Sequence, residues 1–579
     1  MPCSATQKTR KLGLSSLLFT ASLLTLTPVL APVWSQTNPL PNSLESLPPV
    51  RPIDPNPIDL PTAPKPTTPI LPKSISPSSP IESSSPEVPE ASFFVETIEV
   101  LGATVLQEEI EAEVQALENQ TVTLEQLLDL RTRIAKLYND NGYITSGAFL
   151  PSNQNLSDGI IQIQVVEGQL EEIQIIGLKR LRKKYVRRRI SPAAKVPLNQ
   201  AELEKKLQLL QLNPLLKRVN AELTVGSSPG LNTLLVNVEQ AREFHVGASI
   251  DNYRSPAIGS IQGSLNLAHD NFLGLGDRIT AATSITAGLN LYDLGYTVPI
   301  NARDGTIGVR YSNAASEIVA SELRPLDISN DFESLSLELR QPVVKTPNTE
   351  IALGLSFDLQ QNQSFLADQP FPFSQGPDAD GIAKTRVLRF SQEWTQRQPR
   401  NVVALRSQFN LGVDVFDATV NVEGPSANFF SWVGQAQYVQ RLPLRALLIS
   451  RLSTQLTPDS LLNQERFGIG GISSVRGYAS NQLLTDNGIL GTVECQFPLT
   501  SNPNVLQLSP FIDAGKGWNN FGADPSPSAL VGIGVGLRWQ PIPDLSLRFD
   551  YGLPIVDLDD RGNSLQEQGF YFSLQYQPL

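Results

Sequence analysis

Two charged residues in the C-terminal third of the sequence have the types and surroundings of an ion pair. Arg476 is the cation of Val475-Arg476-Gly477-Tyr478, which closes a stretch, 467–478, with four glycines. Asp513 is the carboxylate of Phe511-Ile512-Asp513-Ala514-Gly515. Successive side chains of a strand point to opposite faces. The apolar Ile512 takes one face, so Asp513 lies on the other face with Phe511 and Gly515. A guanidinium and a carboxylate form charge-assisted hydrogen bonds, so these residues predict a latch between a flexible loop and a strand.

This predicted latch would position the loop more than it would stabilise the fold. If the pair of Arg476 and Asp513 were exposed to water, it would be worth only about 0–1 kcal/mol. The alternative is an exposed loop arginine that has no relation to the aspartate.

The chain contains few of the residues that catalysis or metal binding commonly uses. The 579 residues include two histidines, His245 and His269, and two cysteines, Cys3 and Cys495, without a Cys-x-x-Cys motif. We therefore expect neither an enzyme nor a metal site nor a cofactor. The sequence Gly274-Leu275-Gly276-Asp277 is interpreted as a hairpin turn and not a phosphate loop, because no helix follows it. A formal net charge of −12 argues against general nucleic-acid binding.

The first 91 residues predict an export signal and a spacer. In residues 1–35, a basic start with Lys8, Arg10 and Lys11 precedes a short apolar run, and Val33-Trp34-Ser35 offers a cleavage site. An uncleaved membrane anchor is the alternative. Residues 36–91 contain 16 prolines in 56 positions. Such a composition predicts an extended, disordered linker that tethers the folded part of the chain.

Two modules with the same order of elements come next, over 92–168 and 169–241. Each is predicted to contain a strand, two helices and two more strands, and so to form a small α+β domain. In the first module an alternating strand is expected over 94–100, and Thr123 and Gln126 have the spacing of a capping box before the second helix. In the second module helices are expected near 179–190 and over 201–212.

Residues 242–579 alternate between apolar and polar side chains almost continuously. One example is the run in which three glycines, Arg538 and Gln540 alternate with Val531, Ile533, Val535, Leu537 and Trp539. Runs of about ten residues can cross a bilayer when tilted, and the polar phase then faces a watery lumen. At roughly 21 residues per strand and connection there is room for about 16 strands. A soluble β-sandwich or propeller also alternates, but strand length, aromatic residues near strand ends and the export signal favour an antiparallel transmembrane β-barrel.

A basic stretch opens the second module. Eight of its eleven residues are basic, namely Lys179, Arg180, Arg182, Lys183, Lys184, Arg187, Arg188 and Arg189. One interpretation is a solvated helix face. The other is an electrostatic patch that captures anionic headgroups or an acidic client over a Debye length of about 10 Å.

Taken together, these features resemble a known superfamily. The two modules resemble polypeptide-transport-associated (POTRA) domains, and the Arg476 loop is similar to the Val-Arg-Gly-Tyr motif of the barrels that include BamA and the two-partner secretion transporters. The segment from Phe511 to Gly515 is similar to the Phe-x-Asp-x-Gly strand motif of that superfamily. In the family this arginine lies on an inward-folded loop and meets the aspartate of that strand, which implies the pair Arg476 and Asp513. The resemblance covers Phe93 to Leu579.

The number of modules favours one branch of this superfamily. Transporters of the ShlB/FhaC/HecB type carry two POTRA domains, whereas BamA-like assembly factors usually carry more. The resemblance implies a monomeric barrel in the lipid of the outer membrane of a diderm bacterium, with POTRA domains in the periplasm and a large, β-helical secreted client. The rival functions are a BamA-like assembly factor, a barrel enzyme and a passive porin or receptor. The linker is too proline-rich to indicate the plug helix that known transporters often have.

Overall fold

The computed structural model describes residues 92–578 except 153, 155–157 and 559–561. The expected export signal, 1–35, and linker, 36–91, lie outside these described residues. Two small α+β modules precede a closed β-barrel. In the part of the chain that is described, no helix is both long enough and apolar enough to span a membrane.

The first module places two helices against a small sheet. Its elements are β1 (Ser92–Val95), β2 (Thr97–Leu101), α1 (Gln107–Gln115), β3 (Gln120–Thr123), α2 (Leu124–Asp140), β4 (Gly147–Phe149) and β5 (Ile160–Val166). The main sheet has the order β2-β5-β4, and β1 pairs with β3. Helix α2 begins with the predicted capping box, in which Gln126 N donates to Thr123 Oγ1 at 3.3 Å and Thr123 N donates to Gln126 Oε1 at 2.8 Å. Its buried face carries Leu127, Leu130 and Ile134.

The single strand expected over 94–100 was wrong. The chain forms two strands there, because Glu96 N donates to the carbonyl of Gly159 at 2.7 Å and leaves the ladder. β1 pairs with β3, a strand between the two helices that the predicted order of elements did not include, while β2 lies parallel to β5.

The second module has the predicted order of elements. They are β6 (Gln169–Ile176), α3 (Lys183–Ile190), α4 (Gln200–Gln211), β7 (Leu216–Val225) and β8 (Leu231–Gln240), with the sheet order β6-β8-β7. Helix α3 starts later than expected, so Lys179 and Arg180 are not helical. Their backbone N–H groups both donate to the side-chain oxygen of Gln240, and this contact holds the segment outside the helix.

Within the described residues, sixteen long strands close the barrel. They are β9 (Phe244–Asp251), β10 (Gln262–Asp270), β11 (Arg278–Thr286), β12 (Leu289–Pro299), β13 (Thr306–Glu317), β14 (Ile328–Lys345), β15 (Thr349–Leu366), β17 (Ile382–Arg397), β18 (Asn401–Gly412), β19 (Phe430–Arg441), β20 (Leu447–Leu456), β23 (Asn487–Pro498), β24 (Leu506–Trp518), β25 (Ala529–Ile542), β26 (Leu545–Pro554) and β27 (Phe570–Tyr576). The last of them, β27, pairs with the first, β9. A two-residue strand, β16 (Gln369–Pro370), pairs with the last two residues of β15. All the neighbouring strands are antiparallel, and the predicted count of about 16 is confirmed.

Alternation along each strand separates an apolar outer face from a polar interior. In β24, Ile512 is 50% exposed on the outside, whereas Asp513 is completely buried on the inside. The strands are 7 to 18 residues long, so some are longer than the expected ten. Because β9 follows the second module directly, that module lies at the end of the barrel where β9 begins.

Candidate functional site

The connection between β20 and β23, residues 457–486, folds back into the barrel. Within it, β21 (Phe467–Ile469) and β22 (Leu483–Thr485) pair as a short antiparallel ladder. Buried apolar side chains of this loop pack against Leu530 of β25, namely Phe467, Ile469, Val475, Tyr478 and Leu483. We call residues 457–486 the inner loop. It has an apolar core of its own against the barrel wall, which fixes its course through the lumen.

Glycines on the lumen side of the wall allow the inner loop to lie directly against it. A Cβ on Gly532 would lie 1.9 Å from the carbonyl oxygen of Arg476, and one on Gly552 would lie 2.6 Å from the nitrogen of Gly477. Gly477 itself has a φ of +105°, which L side chains rarely adopt. Gly532 of β25 and Gly552 of β26 therefore make room for the loop backbone, a role that alternation alone did not indicate.

The structure brings Arg476, in the second half of this loop, together with Asp513. Nε of Arg476 donates to Oδ2 of Asp513 at 2.7 Å, and Nη2 donates to Oδ1 at 2.9 Å. The backbone N–H of Arg476 donates to the same carboxylate at 3.1 Å. Three hydrogen bonds from one residue fix both the side chain and the backbone of the loop relative to β24.

Two further carboxylates, which the sequence did not single out as partners, also bind Arg476. Its Nη1 donates to Glu494 of β23 at 2.9 Å and to Asp550 of β26 at 3.1 Å. The guanidinium also lies 3.3 Å from the centre of the Phe511 ring. Both carboxylates occupy the polar phase of their strands, which was the available signal, but phase does not show which lumen side chains meet.

These carboxylates have cations of their own on the wall. Arg538 donates to Glu494 at 3.0 Å, and Arg548 donates to Asp550 at 2.5 Å. Arg476 thus completes a network in which arginines and carboxylates alternate, all on the lumen side.

The assumption that the ion pair is exposed to water was wrong. Arg476 is 2% exposed, and Glu494 and Asp513 are completely buried. The loop and the neighbouring side chains exclude water at this point of the lumen. Removing one partner of such a pair costs about 3–5 kcal/mol, because a buried charge is left behind.

Gly477 and Tyr478 are held by a buried tyrosine. The Tyr571 hydroxyl accepts from Gly477 N at 2.9 Å and donates to the Tyr478 carbonyl at 2.6 Å. The Tyr478 hydroxyl in turn donates to the Val531 carbonyl at 2.9 Å and accepts from Val556 N at 3.0 Å. All four residues of the motif 475–478 therefore contact the wall.

Part of the basic stretch fixes the second module to the barrel. Arg180 Nη2 donates to the carbonyl of Phe272 at 2.9 Å, and Arg182 N donates to that of Gly274 at 3.1 Å. Gly274 lies in the β10–β11 turn, so the hairpin expected there is present. Neither of the two interpretations made from the sequence included this contact.

Arg189 of α3 makes the second contact between the second module and the barrel. Its Nε donates to Asp304, in the β12–β13 turn, at 2.9 Å, and Lys345 Nζ donates to the same carboxylate at 2.6 Å. Burial acts to raise the pKa of the Asp304 carboxyl, but Lys345 and Arg189 outweigh it and hold that pKa below its usual value. The two cations therefore favour the ionised form of this carboxylate.

The remaining basic residues form an exposed surface. Lys179, Lys183, Lys184, Arg187 and Arg188 are all exposed, although Arg187 also donates to the Ile173 carbonyl at 3.3 Å. The proposed patch is thus reduced to these five side chains.

The two histidines have structural contacts near the same end of the barrel. His245 lies 3.1 Å from Asp270, and His269 lies 3.3 Å from Arg180. Throughout the described ranges, no group of three or more His, Cys, Asp or Glu side chains is placed to hold a metal ion.

Comparison with protein-family models yields two matches. Residues 230–539 match the model described as haemolysin secretion/activation protein ShlB/FhaC/HecB. Residues 93–168 match a model of POTRA domains of the ShlB type. The first match covers more than half of the chain.

Curated relatives and solved structures agree with these matches. The outer membrane transporter CdiB of Dickeya dadantii (strain 3937) is 25% identical over 468 residues, 76% of this chain and 78% of the relative. The heme/hemopexin transporter protein HuxB of Haemophilus influenzae is 23% identical over 477 residues, 78% of this chain and 81% of its own. The structure of CdiB from Escherichia coli superimposes with a TM-score of 0.64 at 23% identity, over 87% of this chain and 93% of that one. BamA from Haemophilus ducreyi lacking POTRA domains 1–3 gives a TM-score of 0.52 at 14% identity, over 84% and 100%. At these identities both superpositions establish the fold alone.

Proposed function

Because the chain belongs to the ShlB/FhaC/HecB family of haemolysin secretion/activation proteins, we propose that it exports one secreted partner protein under control of the inner loop. It is an outer-membrane β-barrel transporter of the two-partner, type V secretion class, and its POTRA domains lie in the periplasm. The partner would bind the POTRA domains unfolded and then pass through the barrel lumen.

Strand addition is the mode of partner binding that we propose. The sheet order β6-β8-β7 leaves one side of β6 and one side of β7 without a strand neighbour among the described residues. An extended segment added to such an edge is bound through its backbone, so a long client of variable sequence can be recognised. The five exposed basic side chains of the second module would attract acidic segments of the client over about 10 Å.

The single observation that carries the proposal is the placement of Arg476. Its loop occupies the lumen and is held there by carboxylates of β23, β24 and β26. A client can use the same space only when the loop moves. A network of charges supports such a movement, because its geometry is specific enough for the loop to return to one position.

The sequence contains no nucleotide-binding motif. We therefore propose that folding of the client outside the cell drives transport. We propose that the client is large and β-helical. We also propose that the barrel works as a monomer. These features would explain export without ATP, since a client that folds outside cannot slide back.

Replacement of Arg476 by alanine tests this function. We expect secretion of the client to fall at least about tenfold, while the amount of inserted barrel, measured by heat-modifiable migration on gels, stays within about twofold. Unchanged secretion at a normal barrel level would contradict the proposed role of the loop.

A BamA-like assembly factor is the second candidate, because the barrel also superimposes on BamA. Depletion of the protein separates the two functions. The secretion function predicts that one protein disappears from the medium, whereas the assembly function predicts that many outer-membrane proteins decrease together. Quantitative proteomics of the medium and of the outer membrane measures both.

A further inference from the structure

The inner loop is held at a second point, through Glu465 on its first half. Glu465 lies in a short 3-10 turn near the start of the loop and is 5% exposed. Its two carboxylate oxygens accept from Nη1 and Nη2 of Arg389, on β17, at 3.0 and 2.7 Å. This bidentate geometry is the strongest arrangement available to an arginine and a carboxylate.

The two attachment points lie on different parts of the wall. Counted from β9, β17 is the eighth of the sixteen long strands, and the strands that bind Arg476, namely β23, β24 and β26, are the twelfth, thirteenth and fifteenth. Asp513 on β24, which accepts most of the hydrogen bonds from Arg476, is five strands from β17, almost a third of the circumference. The inner loop enters the lumen between β17 and β24, from β20 and β23, so it is attached to the wall on both sides of its entry.

We propose that Arg389 and Glu465 are positioning residues for transport, forming a second anchor that holds the inner loop in the lumen. This inference rests on the proposed export function. The first half of the loop also packs against the wall, because Leu461 and Leu462 belong to buried apolar clusters that include Val387 and Ala383 of β17. Near β20, Gln455 Nε2 donates to the Glu465 carbonyl at 2.9 Å. The ion pair adds a charged contact between this half of the loop and β17, so we expect its loss to let this half move away from β17 and widen the path beside it.

Release of this anchor leaves the wall charge paired. Arg389 Nε also donates to Asp358, on β15, at 2.5 Å, so the arginine keeps a counter-ion when Glu465 moves away. The same holds for two of the three carboxylates that bind Arg476. When Arg476 moves away, Glu494 is still paired with Arg538 and Asp550 is still paired with Arg548. An unpaired buried charge is the main cost of breaking a buried ion pair. Wall partners reduce that cost at both anchors, which suits contacts that must open and close repeatedly.

Channel recordings of the purified full-length protein in planar lipid bilayers test the second anchor without a client. We expect Glu465→Gln to increase the fraction of time spent in open states about tenfold, which corresponds to about 1.4 kcal/mol. The exchanged pair Arg389→Glu with Glu465→Arg should restore the closed state. It again places one cation between two carboxylates, since Asp358 is still present. Glu393→Gln is the matched control, because Glu393 accepts from Arg340 at 2.7 Å on the lumen wall and both residues belong to wall strands.

Several outcomes would overturn the proposal. They are open times of Glu465→Gln equal to those of the unmodified protein, open times of Glu393→Gln equally increased, or no recovery in the exchanged pair. If the Glu465→Gln barrel does not insert, Arg389→Lys provides the same comparison, because lysine keeps the charge but loses the bidentate geometry. Failure of the export function is detected separately, by depletion of the protein. If many outer-membrane proteins then decrease together and no single protein disappears from the medium, the export function is wrong, whatever the recordings show.

Discussion

Arg476 and Asp513 face each other through two side-chain hydrogen bonds of 2.7 and 2.9 Å, with the arginine 2% exposed and the aspartate completely buried. They are 37 residues apart in sequence. Arg476 belongs to the inner loop, and Asp513 belongs to β24 of the barrel wall. Because water is excluded around them, separating the pair would leave buried charges without a partner, and this cost holds the loop in its position.

Replacement of Asp513 by asparagine keeps the shape of the side chain and removes its charge. We expect the closed position of the loop to be destabilised by about 3 kcal/mol, because the guanidinium loses its main partner in a buried site. Protease cleavage within residues 457–486, measured on intact cells, should therefore increase, and secretion should decrease.

A suitable control for that variant is Asp293→Asn. Asp293 accepts from Arg310 at 2.7 Å and from Ser312 at 2.6 Å on the lumen wall, away from the inner loop. If both variants expose the loop equally, the effect comes from general weakening of the barrel and not from the latch.

Replacement of Gly532 by alanine should displace the loop without any change of charge. The new Cβ would lie 1.9 Å from the Arg476 carbonyl oxygen, so either the loop or the wall must move, at a cost of about 1–3 kcal/mol. Secretion assays and channel recordings should both show the change. On Gly491 of β23 the nearest atom would be 4.0 Å away, so Gly491→Ala should behave like the unmodified protein. Equal behaviour of the two alanine variants would show that the close approach is unimportant.

Replacement of Tyr571 by phenylalanine tests the support of the loop motif. The hydroxyl that bonds Gly477 N and the Tyr478 carbonyl is lost, and both bonds are buried. We expect a destabilisation of about 1–3 kcal/mol, seen as faster amide exchange at residues 475–480. Tyr576→Phe, at a side chain that is 43% exposed, should have no such effect, and unchanged exchange in the Tyr571 variant would contradict the proposed support.

The contact between the second module and the barrel should depend on pH. Because the pKa of Asp304 is lowered in the folded protein, its ion pairs stabilise the contact fully above the ordinary value near 3.8. This stabilisation is lost as the pH falls through the lowered pKa. We expect Asp304→Asn to increase amide exchange in helix α3, 183–190, at pH 7, and to differ little from the unmodified protein at the acidic end of the range.

The control for this pH dependence is Asp544→Asn, at an exposed residue of the β25–β26 turn. It should leave exchange in α3 unchanged at every pH. A difference between Asp304→Asn and the unmodified protein that stays constant with pH would show that ionisation of Asp304 is not responsible.

Much of the fold followed from local patterns. The capping box at Thr123 places the start of α2 correctly, and the length of the alternating region, 242–579, predicts the number of strands. The predictions failed where the backbone N–H groups of a segment donate to a residue distant in sequence and not to the partners that a regular strand or helix would provide. Gly159 interrupts the strand at Glu96, and Gln240 holds Lys179 outside α3.

The sequence by itself determined the class of the protein, because alternation, helical periodicity and the motif around Arg476 are local properties of the chain. It also indicated Asp513, since the phase of one strand shows which side chains face inward. Only the tertiary structure decided which inward-facing charges meet. Closure of sixteen strands places Glu494 and Asp550 beside Arg476, and Arg389 beside Glu465. These contacts depend on the register and the order of the strands around the ring. Their energies depend on how completely the folded loop excludes water, which no local pattern specifies.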